Sequence, residues 1–229
     1  MAIGAFVGLV VFLIPPTRFV FSYLGTLIHE LGHTVVAWAF GYPAIPAFDF
    51  RHGGGVSMHL SGRSAFLVLV CIAAWAYLIV RVKDRVRVRN LVLVAAGLYA
   101  LAALTPLHQM LELAMGHGAE LIFAGIFLYR ALSGAAVVHG QLERVLYAAC
   151  GTLLVLENVH LSWGLVSDVD VRTAYGMAKG GGNMMDLDRI AIDFLSVPVQ
   201  TPAGLLLIAS LVTPVVTYLV FLNLGGETS

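Results

Sequence analysis

Long apolar runs are the feature of this 229-residue chain that most restricts its fold. Strongly apolar stretches lie near residues 2–14, 17–40, 64–80, 91–112, 119–138, 145–165 and 201–223. Charged side chains make up only 11% of the sequence, whereas soluble domains carry about a quarter. Because a helix needs ~20 apolar residues to cross a bilayer, we predict one all-α, multi-pass membrane domain over residues 1–229 with about six transmembrane helices.

Two polar segments, at 43–62 and 167–198, interrupt the apolar pattern. In the first, three glycines precede an alternating sequence, which predicts a short extended or β segment near residues 53–60. The connection at 81–89 is rich in arginine and lysine, so the positive-inside rule predicts that it is cytoplasmic; binding of anionic lipid is the alternative. Both polar segments then face the non-cytoplasmic side of a membrane that we expect to be a bacterial inner membrane.

The apolar stretch 17–40 contains the sequence His-Glu-Leu-Gly-His at residues 29–33, an HExxH motif. On a helix, His29 and His33 lie one turn apart on one face, so one nitrogen from each can reach the same metal ion. Glu30 is placed to take a proton from a metal-bound water. A glutamate and two histidines are costly within a bilayer. The motif therefore predicts a zinc site with Glu30 as a general base.

The motif continues as HELGHxxxAxxxG up to Gly41, and a glycine-rich loop follows it. In these features, over roughly residues 23–59, the chain resembles the site-2 protease family of intramembrane zinc metalloproteases. The resemblance implies that His29 and His33 bind zinc, that Glu30 is the catalytic base, and that the substrate is a transmembrane protein or peptide cut within or near the bilayer. It also implies that the extended segment pairs with an unwound substrate.

The third zinc ligand is left open by the sequence, which has no Leu-Asp-Gly motif of the kind that supplies it in that family. A catalytic zinc ion has three protein ligands and one open position. His117 and Glu120 are the first choice, because they are three residues apart on one helix face and glycines flank His117. By hydropathy these two residues begin a span, unless Thr105 and Pro106 break the preceding helix and place His117 deeper.

Two further sets of polar residues are candidates for the site. Glu157, Asn158 and His160 lie inside the apolar run 145–165, where polar groups are usually functional; we expect them to contact the substrate or to hold a ligand in place. Asp186 and Asp188 are the third option, in a loop that we expect to expose them to solvent or to fold over the site.

The sequence leaves more than one function open. An intramembrane zinc metalloprotease is the leading hypothesis; a non-proteolytic zinc-binding membrane protein, or an accessory subunit of a membrane complex, is the alternative. A metal transporter is less consistent with polar residues that cluster toward one side. The formal net charge is zero, which gives no basis for nucleic-acid binding. The expected partners are the substrate, the lipid bilayer and other subunits in a homo- or hetero-oligomer.

Overall fold

The computed structural model describes residues 1–49, 54–60, 62–182 and 184–225. Its helices are α1 (Ala2–Leu13), α2 (Pro15–Ala39), α3 (Ala65–Arg81), α4 (Val86–Leu104), α5 (Leu107–Ser133), α6 (Gln141–Ser167), α7 (Val169–Met177), α8 (Asp186–Arg189) and α9 (Gln200–Gly225). A 3-10 turn at Ala178–Gly180 follows α7, and a π-helical turn at Ile190–Leu195 follows α8. Two strands, β1 (Ala44–Phe48) and β2 (Gly55–His59), form one antiparallel hairpin.

The number of apolar helices differs from the six expected. Among the described residues, α4, α5, α6 and α9 are long and apolar enough to cross a membrane, and the pair α1 and α2 raises the total to five if it forms one broken span. These two helices meet at 107°, where Pro15 begins α2 without a backbone N–H. Helix α3 has 17 residues, about 26 Å of rise, which is short of the ~30 Å hydrocarbon core.

Apolar side chains cover much of the outside of the helices. Phe66 on α3, Leu91 on α4 and Leu205 on α9 are each more than 60% exposed. A soluble helix normally turns such residues inward and polar ones outward. The exterior therefore suits a lipid environment.

The boundary between α4 and α5 lies at Thr105 and Pro106, not near residues 113–118 as the hydropathy runs indicated. Thr105 is extended, as expected for a residue before proline. Helix α5 then continues unbroken through His117 and Glu120. His117 consequently lies ten residues inside its helix. Its position at the start of a span, as hydropathy indicated, is wrong, and the alternative of a helix break at Thr105 and Pro106 is confirmed.

Close packing between α2 and α5 sets the position of the HExxH motif. Gly32 faces α5 so closely that an added Cβ would collide with the carbonyl oxygen of Met115 and lie 2.6 Å from the Cβ of Ala119. Small residues let helix backbones approach in this way in membrane proteins. His29 and His33, which flank Gly32 in the motif, therefore pack against the middle of α5.

The β hairpin lies beside α2 and confirms the expected extended segment; Gly53, at its predicted start, is outside the described residues. Phe48 pairs with Gly55 and Ala44 pairs with His59. Alternate residues of β2 face the helices: Ser57 Oγ lies 3.1 Å from Thr34 Oγ1, and His59 Nε2 lies 2.7 Å from Glu112 Oε1. The period-two pattern of a strand thus attaches the hairpin along the motif helix.

Candidate metal centre

The two motif histidines converge on one carboxylate oxygen. Asp186 Oδ2 lies 2.8 Å from His29 Nε2 and 3.1 Å from His33 Nε2. The three side chains are only 8–20% exposed. Burial by itself raises the pKa of Asp186, but its hydrogen bonds with both imidazoles outweigh burial and hold that pKa far below its usual range. Asp186 is therefore an ionised carboxylate beside the Nε2 atoms of both motif histidines.

The other nitrogen of each histidine is also held. His33 Nδ1 lies 2.7 Å from the backbone carbonyl oxygen of Glu112. His29 Nδ1 lies 3.4 Å from Glu120 Oε1. In metal sites, a ligating histidine normally donates its second N–H to a carbonyl or carboxylate, which fixes the ring and its tautomer. Each Nδ1 thus has an acceptor nearby, and both Nε2 atoms face Asp186, which is where a metal ion would bind.

Glu120 belongs to a buried polar network between α5 and α6. Its Oε2 lies 3.0 Å from His117 Nδ1 and accepts a hydrogen bond of 2.8 Å from Asn158 Nδ2. Asn158 is 2% exposed and also donates to the backbone carbonyl of Leu154. The ring of His117 packs edge-on against His29, with centroids 4.7 Å apart. The network places the Glu120 carboxylate against His29 from the side opposite to Asp186.

Two sets of potential donor atoms lie close enough to share an ion. The donors of His29, Glu30 and His33 lie within 4.8 Å of one another, and so do those of His29, His117 and Glu120. The structure thus brings the predicted ligands His117 and Glu120 to His29. Asp186 belongs to neither of these two sets, but one of its oxygens contacts both motif histidines.

The residues present fit a zinc ion. Ligand atoms about 2.05 Å from a tetrahedral zinc are about 3.3 Å apart, so Asp186 Oδ2, at 2.8 Å from His29 Nε2 and 3.1 Å from His33 Nε2, lies within about half an ångström of the spacing that two zinc ligands have. Gly116 leaves the space: a Cβ there would lie 2.5 Å from His29 Nε2 and 2.6 Å from His33 Nε2. The absence of a side chain at Gly116 therefore keeps the position between the two nitrogens open.

A methyl group at residue 116 is expected to weaken zinc binding. Gly116→Ala places a carbon where both Nε2 atoms would meet the metal, so we expect zinc affinity to fall by more than about 10-fold. Gly97→Ala is the matched control, because a Cβ at Gly97 has no described atom within 4 Å and alanine is tolerated within helices. Competition with a zinc-sensitive dye measures both variants. Unchanged affinity in Gly116→Ala would rule out an ion at this position.

Glu30 lies at the junction between the motif helix and the hairpin. The residue is 5% exposed. A Cβ added to Gly55 would collide with Glu30 Cγ and lie 2.6 Å from Glu30 Oε1. Glycine at 55 therefore lets the hairpin approach the carboxylate. Glu30, His29 and Asp186 line one cavity of about 410 Å³, so the Glu30 carboxylate and two of the candidate metal-binding side chains face the same space.

The remaining candidate residues occupy different positions. Glu157 forms a two-pronged ion pair with Arg18, at 2.7 and 2.6 Å, although it also lines the cavity. His160 is exposed and packs edge-on against Phe12, with centroids 5.7 Å apart. Of the three residues from this set, Asn158 alone contacts the network around His29.

Asp186 and Asp188, in the segment 167–198, do not lie on a solvated loop face. Asp188 is 5% exposed, its Oδ2 has no hydrogen-bond partner among the described residues, and burial raises its pKa. The helix α8 is held by an apolar cluster that includes Leu187 and Tyr175, and the expected solvent exposure is therefore wrong for Asp186 and Asp188. His52, which the sequence places in the polar segment 43–62, is outside the described residues.

Comparisons with protein-family models, curated proteins and solved structures gave no match for this chain.

Changing Glu120 to glutamine distinguishes two roles for Glu120: holding His29 in place through Nδ1, or binding zinc directly. If Glu120 holds His29 Nδ1, Glu120→Gln lowers zinc affinity by about 10–100-fold, the usual effect of an outer partner. A zinc-binding titration of purified protein gives this value. A larger loss, equal to that of Asp186→Ala, would instead make Glu120 a ligand.

Proposed function

We propose that this protein is a multi-pass membrane zinc metalloprotease that hydrolyses a peptide bond of a membrane-embedded substrate. The observation that carries the proposal is the convergence of both motif Nε2 atoms on Asp186 while both Nδ1 atoms have acceptors elsewhere. This arrangement supports zinc ligation by His29, His33 and Asp186. Because catalytic zinc keeps a fourth position open, three protein ligands favour a catalytic over a structural site.

Zinc bound at this centre would lower the pKa of water and polarise a carbonyl group. Glu30 takes one proton from the attacking water, whose oxygen forms a bond to the carbonyl carbon. As the carbon–nitrogen bond breaks, Glu30 returns the proton to the leaving nitrogen. The products are a new carboxyl group and a new amine. The buried position of Glu30 at the cavity wall suits this exchange.

The surroundings of the centre favour a peptide from within a membrane. The helices carry apolar surface outward, and the cavity lies among α2, α6 and the hairpin. A helical substrate hides its peptide bonds in internal hydrogen bonds, so it has to unwind before attack. The hairpin strand β2 offers backbone groups for an unwound segment to pair with.

Proteoliposomes provide the direct test of this function. We would reconstitute the zinc-loaded protein with synthetic transmembrane peptides that carry a fluorophore and a quencher on either side of a central Gly-Asn-Pro stretch, which weakens the helix. We expect cleavage that a chelator removes and zinc restores. Intact peptides after prolonged incubation with verified zinc-loaded protein would contradict the proposal.

A further inference from the structure

Lys179 is the one lysine or arginine among the described residues that line the central cavity. The acidic residues that line it are Glu30, Glu120, Glu157 and Asp186. Arg18 pairs with Glu157 and the proposed zinc ion would offset Asp186, but the carboxylates of Glu30 and Glu120 remain and repel a carbonyl oxygen that gains negative charge. Lys179 is therefore the cavity's own side chain with the charge needed to offset that repulsion.

The ammonium group of Lys179 is fixed next to the proposed general base. Lys179 Nζ donates a hydrogen bond of 2.9 Å to the backbone carbonyl oxygen of Gly55. The same Gly55 packs against the side chain of Glu30. An ammonium group has three donors, and Gly55 is its only hydrogen-bond partner among the described residues. Two N–H groups thus remain for a molecule in the cavity.

The backbone at Lys179 is held in an unusual conformation. Its φ is +53°, in the left-handed region that residues other than glycine seldom adopt. Gly180, Gly181 and Gly182 follow, and each also has a positive φ. Backbone strain of this kind persists where the surrounding structure enforces it, and it is concentrated at functional sites.

We propose that Lys179 is a further catalytic residue, whose ammonium group stabilises the negative charge that develops on the oxygen of the attacked carbonyl. This inference rests on the proposed protease function. Lys179 keeps its proton throughout: one N–H stays on the carbonyl of Gly55, and another donates to the substrate oxygen. A preorganised donor of this kind is worth most where charge develops only in the transition state.

A purely structural role for Lys179 predicts a different result. The bond to Gly55 joins the hairpin to the segment that carries Asp186. If Lys179 served only as this tether, its loss would displace Asp186 and weaken zinc binding. If it stabilises charge, its loss would leave zinc affinity intact and weaken the binding of a tetrahedral anion.

The chain offers a matched control, because Lys83 and Lys179 are its only two lysines. Lys179 is exposed at the cavity rim, so Lys179→Met should fold. We would compare Lys179→Met, Lys179→Arg and Lys83→Met in zinc-loaded protein. The readouts are zinc affinity, binding of a phosphinic peptide, which mimics the charged transition state, binding of the uncharged amide peptide of the same sequence, and cleavage kinetics.

We expect Lys179→Met to weaken phosphinic-peptide binding by about 10–100-fold and to lower kcat by on the order of 10²-fold. Amide-peptide binding, KM and zinc affinity should change by less than about 3-fold. The substitution removes an interaction that strengthens only in the transition state, and the contacts that bind the ground-state substrate remain. Lys179→Arg should recover part of the loss, and Lys83→Met should behave as the unsubstituted protein.

Two results would overturn the role of Lys179 while leaving the protease function in place: unchanged phosphinic-peptide binding in Lys179→Met, or a parallel loss of zinc affinity. Conversely, an unsubstituted protein that binds the phosphinic peptide through Lys179 but cleaves nothing would support the anion site and remove the protease function. Failure of the unsubstituted protein to bind the phosphinic peptide would overturn both.

Discussion

Glu30→Gln is expected to abolish peptide-bond hydrolysis while the protein keeps one equivalent of zinc. Glutamine has nearly the same shape as glutamate but cannot accept and return a proton. Because general-base catalysis contributes about 10²–10⁴-fold, we expect kcat to fall by on the order of 10³-fold. Glu30 is not among the atoms that meet at Asp186, so zinc affinity should change little.

The measurement pairs cleavage of the quenched transmembrane peptide with zinc content in the same preparation. Glu30→Gln with full zinc and unimpaired cleavage would exclude Glu30 as the base. Loss of zinc together with activity would indicate that Glu30 is a ligand, as its position within 4.8 Å of the histidine donors also permits.

Asp186→Ala is expected to remove both zinc and activity. The substitution leaves His29 and His33 as the only ligands of the proposed set. We expect zinc affinity to fall by more than about 100-fold, beyond the 10–100-fold range of outer partners. Asp193→Asn is the matched control, because Asp193 is an exposed aspartate seven residues along the same segment.

Comparing Asp186→Ala with Glu120→Gln shows which of the two carboxylates binds zinc directly. The two carboxylates approach His29 through different nitrogens, Asp186 at Nε2 and Glu120 at Nδ1. A dye-competition titration of both variants ranks them directly. Near-normal zinc affinity in Asp186→Ala would remove Asp186 from the ligand set and return Glu120 and His117 as the leading choice.

The local part of the site was predictable from sequence. The spacing of His29 and His33 fixes their shared helix face, and the alternation after the glycine triplet predicted the strand β2. Hydropathy failed between α4 and α5, because Glu112 and His117 lower the local average around residues 112–118 although both lie inside α5 and have hydrogen-bond partners. Pro106 was the better signal for the helix boundary.

The long-range part of the site could not be predicted in the same way. Asp186 and His33 are separated by 153 residues, and helical periodicity carries no information about contacts across that distance. The carbonyl of Glu112 supports His33 through the backbone, which no side-chain pattern records. Lys179, which lines the cavity, was not among the predicted residues; a lysine followed by three glycines within the polar segment 167–198 was the available signal.

Anomalous X-ray diffraction at the zinc edge, on crystals of the zinc-loaded protein, tests zinc ligation by His29, His33 and Asp186. We predict one strong peak about 2.0–2.2 Å from Nε2 of His29, Nε2 of His33 and a carboxylate oxygen of Asp186, with no protein atom at the fourth position. A zinc ion bound by His117 or Glu120, or one enclosed by four protein ligands as in a structural site, would contradict it.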